Sequence, residues 1–297
     1  MPLAGDILGN LRGYSRAMYS TWFHYPPGRL LLDAGEGVSS ALGNYVYGIE
    51  DVFLSHGHHD HIGGVPGIVL ARNAAMGERT KPLAIYHPAG DALIQLEREY
   101  VALLARSLDY ELKWIPVSSG DSIPLAAADG KWSLRAFGTG HTRNHLSLGY
   151  ALTEKRKRLR QELSGLDEKE IARVARERGR DAVTENYEQI LLAYSGDAPA
   201  LDPSLVRGAT VLMHDATFLE AEERKAEIHA TLDEVIRVAM DAGVQGLGLF
   251  HVSSRYTHAD LEARIAKAVD KAGLNVPVTL FHLHRRVEIS RGAQPNG

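Results

Sequence analysis

The sequence has no cysteine among its 297 residues. This excludes both a disulfide framework and a thiolate metal ligand, so any metal ligand must be histidine, aspartate, glutamate or a weaker donor. The sequence also has no apolar run long enough to span a bilayer, and its N-terminus lacks a basic segment followed by an apolar one. We therefore expect a cytoplasmic protein with no membrane partner.

A strong charge of either sign is also missing. The formal net charge is −4 at pH 7, so a nucleic-acid ligand would have to be bound by a local cluster of lysine and arginine. With 44% hydrophobic and 24% charged residues, the chain can bury a sizeable core. Composition thus favours a folded enzyme or binding protein over a disordered chain.

What the sequence does contain is a histidine-rich motif, Ser-His-Gly-His-His-Asp-His-Ile-Gly-Gly, at residues 55–64. In an extended segment His56 and His58 point to the same side, so both can contact one ion. Asp60 and His61 fall in a glycine-rich turn that can direct them at a second ion. Imidazole nitrogens suit zinc, and a carboxylate would also accept manganese or iron. The motif predicts a hydrolytic metal site.

Short apolar runs alternate with helical segments along the chain, which is typical of an α/β protein whose site lies on loops at one edge of a sheet. Helix starts are predicted at Asp202, Thr231 and Thr257 from their capping patterns, and Gly243 and Gly273 mark the ends of the last two. The predicted strands are 29–32, 52–54, 83–86, 134–137, 146–152, 190–194, 210–213 and 247–250.

Residues 151–189 differ in composition and are predicted to form an inserted helical arm within a single domain, 1–297. Five of the six residues from 155 to 160 are basic, and Asp167 with Glu170 forms the capping box of an amphipathic helix. Two interpretations stay open: a solvated helix face, or a projecting arm that binds phosphates.

Four later residues follow apolar runs or precede a helix and are candidates to complete the metal site. These are His141, Asp197, His229 and His251. Each alone would pass for a loop residue. In this order, after the first motif, they indicate a centre with two metal ions.

Taken together, these motifs resemble the metallo-β-lactamase superfamily and, within it, the ribonuclease Z family. The first four are Asp-Ala-Gly-Glu-Gly (33–37), His-Gly-His-His-Asp-His (56–61), His141 before Ser-x-Gly-Tyr (147–150), and Ser-Gly-Asp (195–197). The remaining three are His-Asp-Ala-Thr-Phe (214–218), His-x-Thr (229–231) and His-x-Ser-Ser-Arg-Tyr (251–256). The resemblance implies an αββα four-layer sandwich, a cytoplasmic homodimer, and an endonuclease that removes the 3′ trailer of precursor tRNA.

Carried over residue by residue, the resemblance implies two Zn²⁺ ions, with Mn²⁺ or Fe²⁺ as alternatives. The first ion would be held by His56, His58 and His141, the second by Asp60, His61 and His251, with Asp197 bridging them. Two such ions, about 3.5–4 Å apart, generate a hydroxide that attacks the phosphodiester. Asp60 would orient this nucleophile and His229 would protonate the departing oxygen, leaving a 3′-hydroxyl and a 5′-phosphate.

Some alternatives remain at this point. His145 competes with His141, because the distance from His141 to Ser147 is longer than the family usually has. His214 and Asp215 are expected to support the site rather than bind metal. The substrate could instead be a small one, such as a cyclic nucleotide, another phosphodiester or a lactone, because the arm lacks the Gly-Pro-rich tip usual in ribonuclease Z. A fold member without turnover is disfavoured because every ligand position is filled.

Overall fold

Two β-sheets form the centre of the computed structural model, which describes residues 2–74, 81–224 and 226–290. In these residues the first sheet has six strands: β1 (Arg12–Arg16), β2 (Ser20–Tyr25), β3 (Leu30–Leu32), β4 (Asp51–Phe53), β5 (Leu83–Pro88) and β6 (Leu112–Val117). The second has eight: β7 (Ser122–Pro124), β8 (Trp132–Gly138), β9 (Leu148–Leu159), β10 (Thr184–Tyr194), β11 (Val211–Asp215), β12 (Leu247–Phe250), β13 (Val278–His282) and β14 (Arg285–Glu288). Neighbouring strands follow chain order in both sheets.

Both sheets combine parallel and antiparallel strands, and the parallel strands reach an edge only in the first sheet, at β6. Strands β3 to β6 and β10 to β13 run parallel, while β1, β2, β7, β8, β9 and β14 pair antiparallel with their neighbours. Parallel strands covered on both faces are continuous apolar runs, and Leu30, Leu31 and Leu32 are all buried. The eight predicted strands are confirmed: six match within two residues at each end, whereas β9 extends seven residues past its predicted end and β10 begins six residues before its predicted start.

Eight α-helices are found in the described residues. They are α1 (Ala4–Asn10), α2 (Val38–Leu42), α3 (His59–Ile62), α4 (Val65–Asn73), α5 (Ala92–Leu104), α6 (Glu168–Arg178), α7 (Leu232–Ala242) and α8 (His258–Ala272). Across the parts of the chain that the structure describes, none is long and apolar enough to cross a membrane.

Three apolar clusters separate the layers. One, between the sheets, includes Phe23, Tyr194 and Phe250. A second packs α7 and α8 on the larger sheet, and a third packs α2, α4 and α5 on the smaller one. The order is therefore helix, sheet, sheet, helix, and the predicted αββα sandwich is confirmed.

The predicted helix boundaries follow from side-chain caps. Thr231 caps α7 in a box with Glu234, and Thr257 caps α8 by accepting from the backbone of Asp260. Gly243 and Gly273 end these helices in the left-handed conformation. Asp202 caps only a short 3₁₀ turn, Pro203–Val206.

The description of 151–189 as a helical arm needs correction. Only α6 is α-helical there. Residues 151–159 and 184–189 belong to β9 and β10, which pair with each other over 155–159 and 184–188, beyond the last residue of β9 that is paired with β8. The basic residues are consecutive along β9, and two of them form the ion pairs Lys157–Asp181 at 2.6 Å and Arg158–Glu185 at 2.7 Å. A run of charged residues lacks the apolar pattern that is used to find strands.

We expect the charge of Asp51, on β4, to destabilise the protein at neutral pH. Burial and the nearby charge of Glu50 raise the pKa of Asp51 from 3.8 to about 6. Between these values the folded state keeps a proton that the unfolded state releases, so stability falls as pH rises and levels off above pH 6. Asp51→Asn removes this loss and should stabilise the protein by about 1–3 kcal/mol at pH 7.5.

Urea denaturation at pH 7.5 and pH 4 measures the effect, and the gain should nearly vanish at pH 4. The exposed Asp241→Asn on α7 is the control and should change little at either pH. A gain of equal size at both pH values would show that packing, not charge, is responsible.

Candidate metal centre

The segment after β4 carries the first four polar side chains of the centre. Residues 55–58 run without regular structure, and α3 then forms a single helical turn in which the backbone N–H groups of His61 and Ile62 donate to the His58 carbonyl at 2.9 and 3.2 Å. The expected open turn is therefore helical. His56 and His61 are buried, whereas His58 is exposed at the mouth of the site.

Gly35 allows α3 to lie where it does. A Cβ atom at this position would meet the carbonyl oxygen of Asp60 at 2.3 Å and the backbone nitrogen of Thr21 at 2.6 Å. The loop after β3 can therefore lie directly on α3 only because residue 35 has no side chain. The Asp-Ala-Gly-Glu-Gly motif thus has a structural reason that its sequence alone did not supply.

The structure brings all seven predicted ligands together. Within each of two groups the ligand atoms lie within 4.8 Å of one another: His56, His58, His141 and Asp197 in one, and Asp60, His61 and His251 in the other. Asp197 lies between the groups. Its Oδ2 is 3.8 Å from His141 Nε2 and 3.3 Å from His251 Nε2, and its Oδ1 is 3.3 Å from His61 Nε2.

The inward-facing atoms of these residues are suited to a cation. In the described part of the chain, His61 Nε2, His141 Nε2 and Asp197 Oδ1 are buried without a hydrogen-bond partner; His61 Nε2 and Asp197 Oδ1 are close but poorly aligned. Buried polar atoms without partners are costly, and coordination to a metal would satisfy them. The donor set of imidazoles and carboxylates therefore fits divalent metal ions.

Each buried histidine is oriented by a hydrogen bond at its other nitrogen. His141 Nδ1 donates to the Ile228 carbonyl at 2.8 Å, and His251 Nδ1 lies 2.9 Å from Thr217 Oγ1. His56 Nδ1 lies 2.9 Å from Ser55 Oγ. Such partners fix the ring and direct the remaining nitrogen into the site.

Asp33 holds His61 in the same way and has the largest share of these contacts. Its carboxylate accepts hydrogen bonds from Ser55 N at 2.7 Å, Ser55 Oγ at 2.8 Å and Tyr194 OH at 2.6 Å, and its Oδ2 lies 2.8 Å from His61 Nδ1. Asp33 is fully buried. The sequence analysis included Asp33 in a motif but gave it no role. The available signal for Asp33 was its position directly after the buried run Leu30–Leu32. The supporting roles of Ser55, Tyr194 and Thr217 were not predicted.

The acidic residues of the centre are ionised at neutral pH. Burial raises the pKa of Asp60, but the hydrogen bond from His251 and the nearby His61 outweigh it and lower the pKa to about 2. Burial likewise raises the pKa of Asp197, while His251 and His61 bring it well below its usual value. Two ionised carboxylates are therefore available to bind a cation.

His229 lies beside the seven predicted ligands and forms a third group with Asp197, Asp215 and His251, whose ligand atoms also lie within 4.8 Å of one another. Its ring centroid is 4.7 Å from that of His141 and 5.2 Å from that of His251. Its Nδ1 is 2.6 Å from Asp215 Oδ2, and its side chain is 17% exposed. Burial lowers the pKa of His229, but Asp215 and Asp197 more than offset this and raise the pKa to about 9. A protonated imidazole in contact with solvent can donate a proton.

The competing histidines lie elsewhere. His145 is exposed and belongs to neither group, so the geometry favours His141. His214 accepts from Leu201 N at 3.3 Å through Nε2, and its Nδ1 contacts the Asp215 carbonyl. Asp215 contacts His229, and the expectation that His214 and Asp215 support the site without binding metal remains a prediction. The ligand roles themselves remain predictions.

The fold and this arrangement of ligands define a metal-dependent hydrolase of the metallo-β-lactamase class. The family model described as Metallo-beta-lactamase superfamily matches residues 28–159. Among solved structures, the metallo-beta-lactamase fold protein YhfI from Bacillus subtilis is 18% identical and has a TM-score of 0.64, covering 94% of this chain and 98% of its own. The short form of human tRNase Z is also 18% identical, with a TM-score of 0.60 and coverage of 94% and 99%.

Sequence relatives narrow the class. Ribonuclease Z of Halobacterium salinarum is 32% identical over 249 residues, which are 76% of this chain and 78% of that protein. Ribonuclease Z of Haloferax volcanii is 31% identical over 254 residues, or 77% and 76% of the two chains. The chain belongs to the ribonuclease Z family.

We expect Tyr194→Phe to weaken metal binding, because it removes one of the hydrogen bonds that hold the Asp33 carboxylate against His61. Loss of such an outer contact lowers metal affinity by about 10–100-fold in comparable sites. Competition with a chromophoric zinc chelator would measure the change.

The matched control is Tyr150→Phe. Tyr150 is also fully buried between the sheets, but its hydroxyl donates to the Leu54 carbonyl at 2.7 Å rather than to Asp33. Both variants should unfold at similarly reduced urea concentrations, with only Tyr194→Phe losing affinity. Equal losses of affinity would contradict a specific role for the bond to Asp33.

Proposed function

We propose that this protein is an endoribonuclease that removes the 3′ trailer of precursor tRNA, leaving a 3′-hydroxyl on the tRNA and a 5′-phosphate on the trailer. The observation that carries the proposal is the convergence of the seven ligand side chains beside His229, which is held by Asp215. The relatives named Ribonuclease Z support the choice of substrate.

The proposed metal content is two zinc ions. His56, His58 and His141 would hold one, and Asp60, His61 and His251 the other, with Asp197 between them, because these are two of the three groups of candidate ligands that the fold assembles. When bound, the pair of ions acidifies a water and neutralises charge on the phosphodiester. Manganese or iron would also accept this mixture of imidazole and carboxylate.

His229 supplies the proton for the leaving group in this proposal. Asp215 accepts from Nδ1, which leaves the Nε2–H free to face substrate, and the pKa of about 9 keeps the ring protonated at neutral pH. The departing 3′ oxygen is strongly basic, so protonation as the bond breaks lowers the barrier.

Asp60 is proposed to position the attacking water. Its Oδ2 accepts a hydrogen bond from the backbone N–H of Met18 at 3.1 Å and lies 3.5 Å from His251 Nε2. These contacts fix the carboxylate plane, and an ionised carboxylate can accept a hydrogen bond from water at the point of attack.

Hydrolysis of a small phosphodiester is the second candidate, and the arm provides the observation in its favour. Lys157 and Arg158 form ion pairs across the β9–β10 ribbon, and Arg156 pairs with Glu154. Charges already paired within the arm offer less attraction to phosphates. The arm as a tRNA-binding element, the homodimer and the cytoplasmic location all remain predictions.

Two substrates separate these candidates. The zinc-loaded protein should cleave a precursor tRNA with a 3′ trailer at the junction of the tRNA body, and gel analysis should show a tRNA ending in a 3′-hydroxyl. Protein stripped with a chelator should be inactive and should recover with zinc. Turnover of bis-p-nitrophenyl phosphate without cleavage of precursor tRNA would refute the tRNA assignment and favour the small-substrate alternative.

His229→Ala should affect the two substrates differently. General acids contribute about 10²–10⁴-fold when the leaving group is basic, so cleavage of precursor tRNA should fall by this factor. The p-nitrophenolate group departs without a proton, and bis-p-nitrophenyl phosphate hydrolysis should therefore change far less.

Metal content measured by atomic absorption must match wild type for this comparison to hold. His145→Ala, which alters an exposed histidine outside the centre, is the control and should leave both activities unchanged. A His229→Ala variant with both metals and full activity on precursor tRNA would exclude the proposed acid.

A further inference from the structure

A groove runs from the metal centre along the edge strand β1 and has no part in the chemistry above. It consists of two adjoining cavities of about 530 and 460 Å³ that share Trp22, Ala41 and His284 in their walls. The larger cavity contains Tyr19 and Glu36, and the smaller contains Arg12 and Tyr45. We call it the β1 groove.

The β1 groove starts beside the second group of ligands. The backbone N–H of Met18, next to Tyr19, donates to Asp60 Oδ2 at 3.1 Å. The hydroxyl of Ser15, on β1, accepts from the backbone N–H of His251 at 2.8 Å. The end of β1, together with Met18 just after it, therefore hydrogen-bonds to two predicted ligand residues. From this end the groove extends along β1 towards Arg12.

The lining combines flat aromatic rings with arginine. Arg12, Tyr14 and Arg16 alternate along β1 and so share one face of the strand. In the cavity walls, Arg12 lies 3.8 Å from the ring centroid of Tyr45. Arg16, which lines neither cavity, lies 4.5 Å from the ring centroid of Tyr19, which does. Tyr19 and Tyr45 are 54% and 49% exposed, so their rings are accessible to a ligand.

This chemistry suits single-stranded nucleic acid. Exposed rings stack on bases of any sequence, and arginines beside them contact phosphates. Arg12 to Arg16 spans about 13 Å at the ~3.3 Å rise of a strand, which is enough for roughly four nucleotides at the ~3.4 Å spacing of a stacked strand. Glu36 is the acidic residue in the walls of the two cavities.

We infer that the β1 groove binds the first nucleotides of the 3′ trailer, an inference that rests on the proposed function. The oxygen that His229 protonates belongs to the tRNA body, so the body leaves the centre on the side of His229, against His141 and His251. The trailer keeps the phosphate. The walls of the groove include none of the residues around His229. The groove meets the centre instead at Tyr19, next to Met18, whose backbone N–H donates to Asp60 Oδ2.

Trailer length is the variable that tests this inference. For wild type, kcat/KM should rise as the trailer grows from one to about four nucleotides and then level off, because the groove is filled. Arg12→Ala and Tyr45→Ala should lower kcat/KM about tenfold for four-nucleotide and ten-nucleotide trailers, the usual loss for one stacked base, and much less for a single nucleotide. Arg12→Ala should also reduce the slope of log kcat/KM against log salt by about 0.7 for long trailers.

Matched controls come from the helices. Arg237→Ala on α7 and Tyr100→Ala on α5 remove exposed residues of the same types far from β1 in sequence, and should behave as wild type at every trailer length. A 4-thiouridine placed at the second or third trailer nucleotide should crosslink to a peptide containing Tyr14 or Tyr45.

Several results would overturn the inference. If the variants lose the same factor in kcat/KM at every trailer length, the substitutions have damaged the metal centre. If their kcat/KM is unchanged at every length, the groove does not bind the trailer. A change in oligomeric mass by light scattering with intact length dependence would show that the groove receives a second copy of the chain. In each case wild type still cleaves precursor tRNA, whereas absence of that cleavage would instead refute the proposed function.

Discussion

The buried carboxylate of Asp33 joins parts of the molecule that must meet for the site to exist. It follows β3 of the smaller sheet, and it contacts Ser55 after β4, His61 on α3 and Tyr194 on β10 of the larger sheet. An isolated buried charge is prohibitively costly, so this residue is tolerated only with its donors in place. The same contacts that stabilise Asp33 therefore fix α3 relative to both sheets.

The remaining ligands depend on the layered architecture. His56 follows β4, His141 follows β8, Asp197 follows β10 and His251 follows β12. Rigid strands bring their ends to one edge of the sandwich, and the loops beyond them need only short excursions to meet. A further layer of contacts, from Thr217, Ile228 and Ser55, then sets the direction of each ring. The catalytic geometry is thus set by strands and refined by loops.

How much of this could be predicted from sequence depends on the range of the interactions. Buried parallel strands and capped helices were predictable, because apolar runs and cap residues such as Thr231 are local signals. The candidate ligands could be selected from sequence because they are histidines and aspartates at strand ends, and the structure brings them together, although their binding of metal remains a prediction. The helical turn α3 and the strands of the arm were missed, since histidines and a run of charged residues carry no apolar period.

The residues that orient the candidate ligands could not be predicted from the local sequence, because their partners are distant in the chain. Tyr194 and Asp33 are 161 positions apart in the chain, and nothing near either residue indicates the other. The β1 groove was hidden for the same reason: Arg12 on β1 meets Tyr45, which precedes β4, only after the sheet has formed. Arg12 and Tyr45 are ordinary residue types, and only their contact in the folded protein indicates a binding surface.

The backbone of His251 has a consequence for assembly. Its φ of 57° is left-handed, which costs a residue with a side chain about 1–2 kcal/mol. Ser15 holds its N–H and Thr217 donates to its carbonyl at 3.0 Å, so the conformation is secured from both ends of the chain. The position of this predicted ligand therefore depends on the first strand of the chain, because the hydrogen bond from the His251 backbone to Ser15 can form only once β1 has docked.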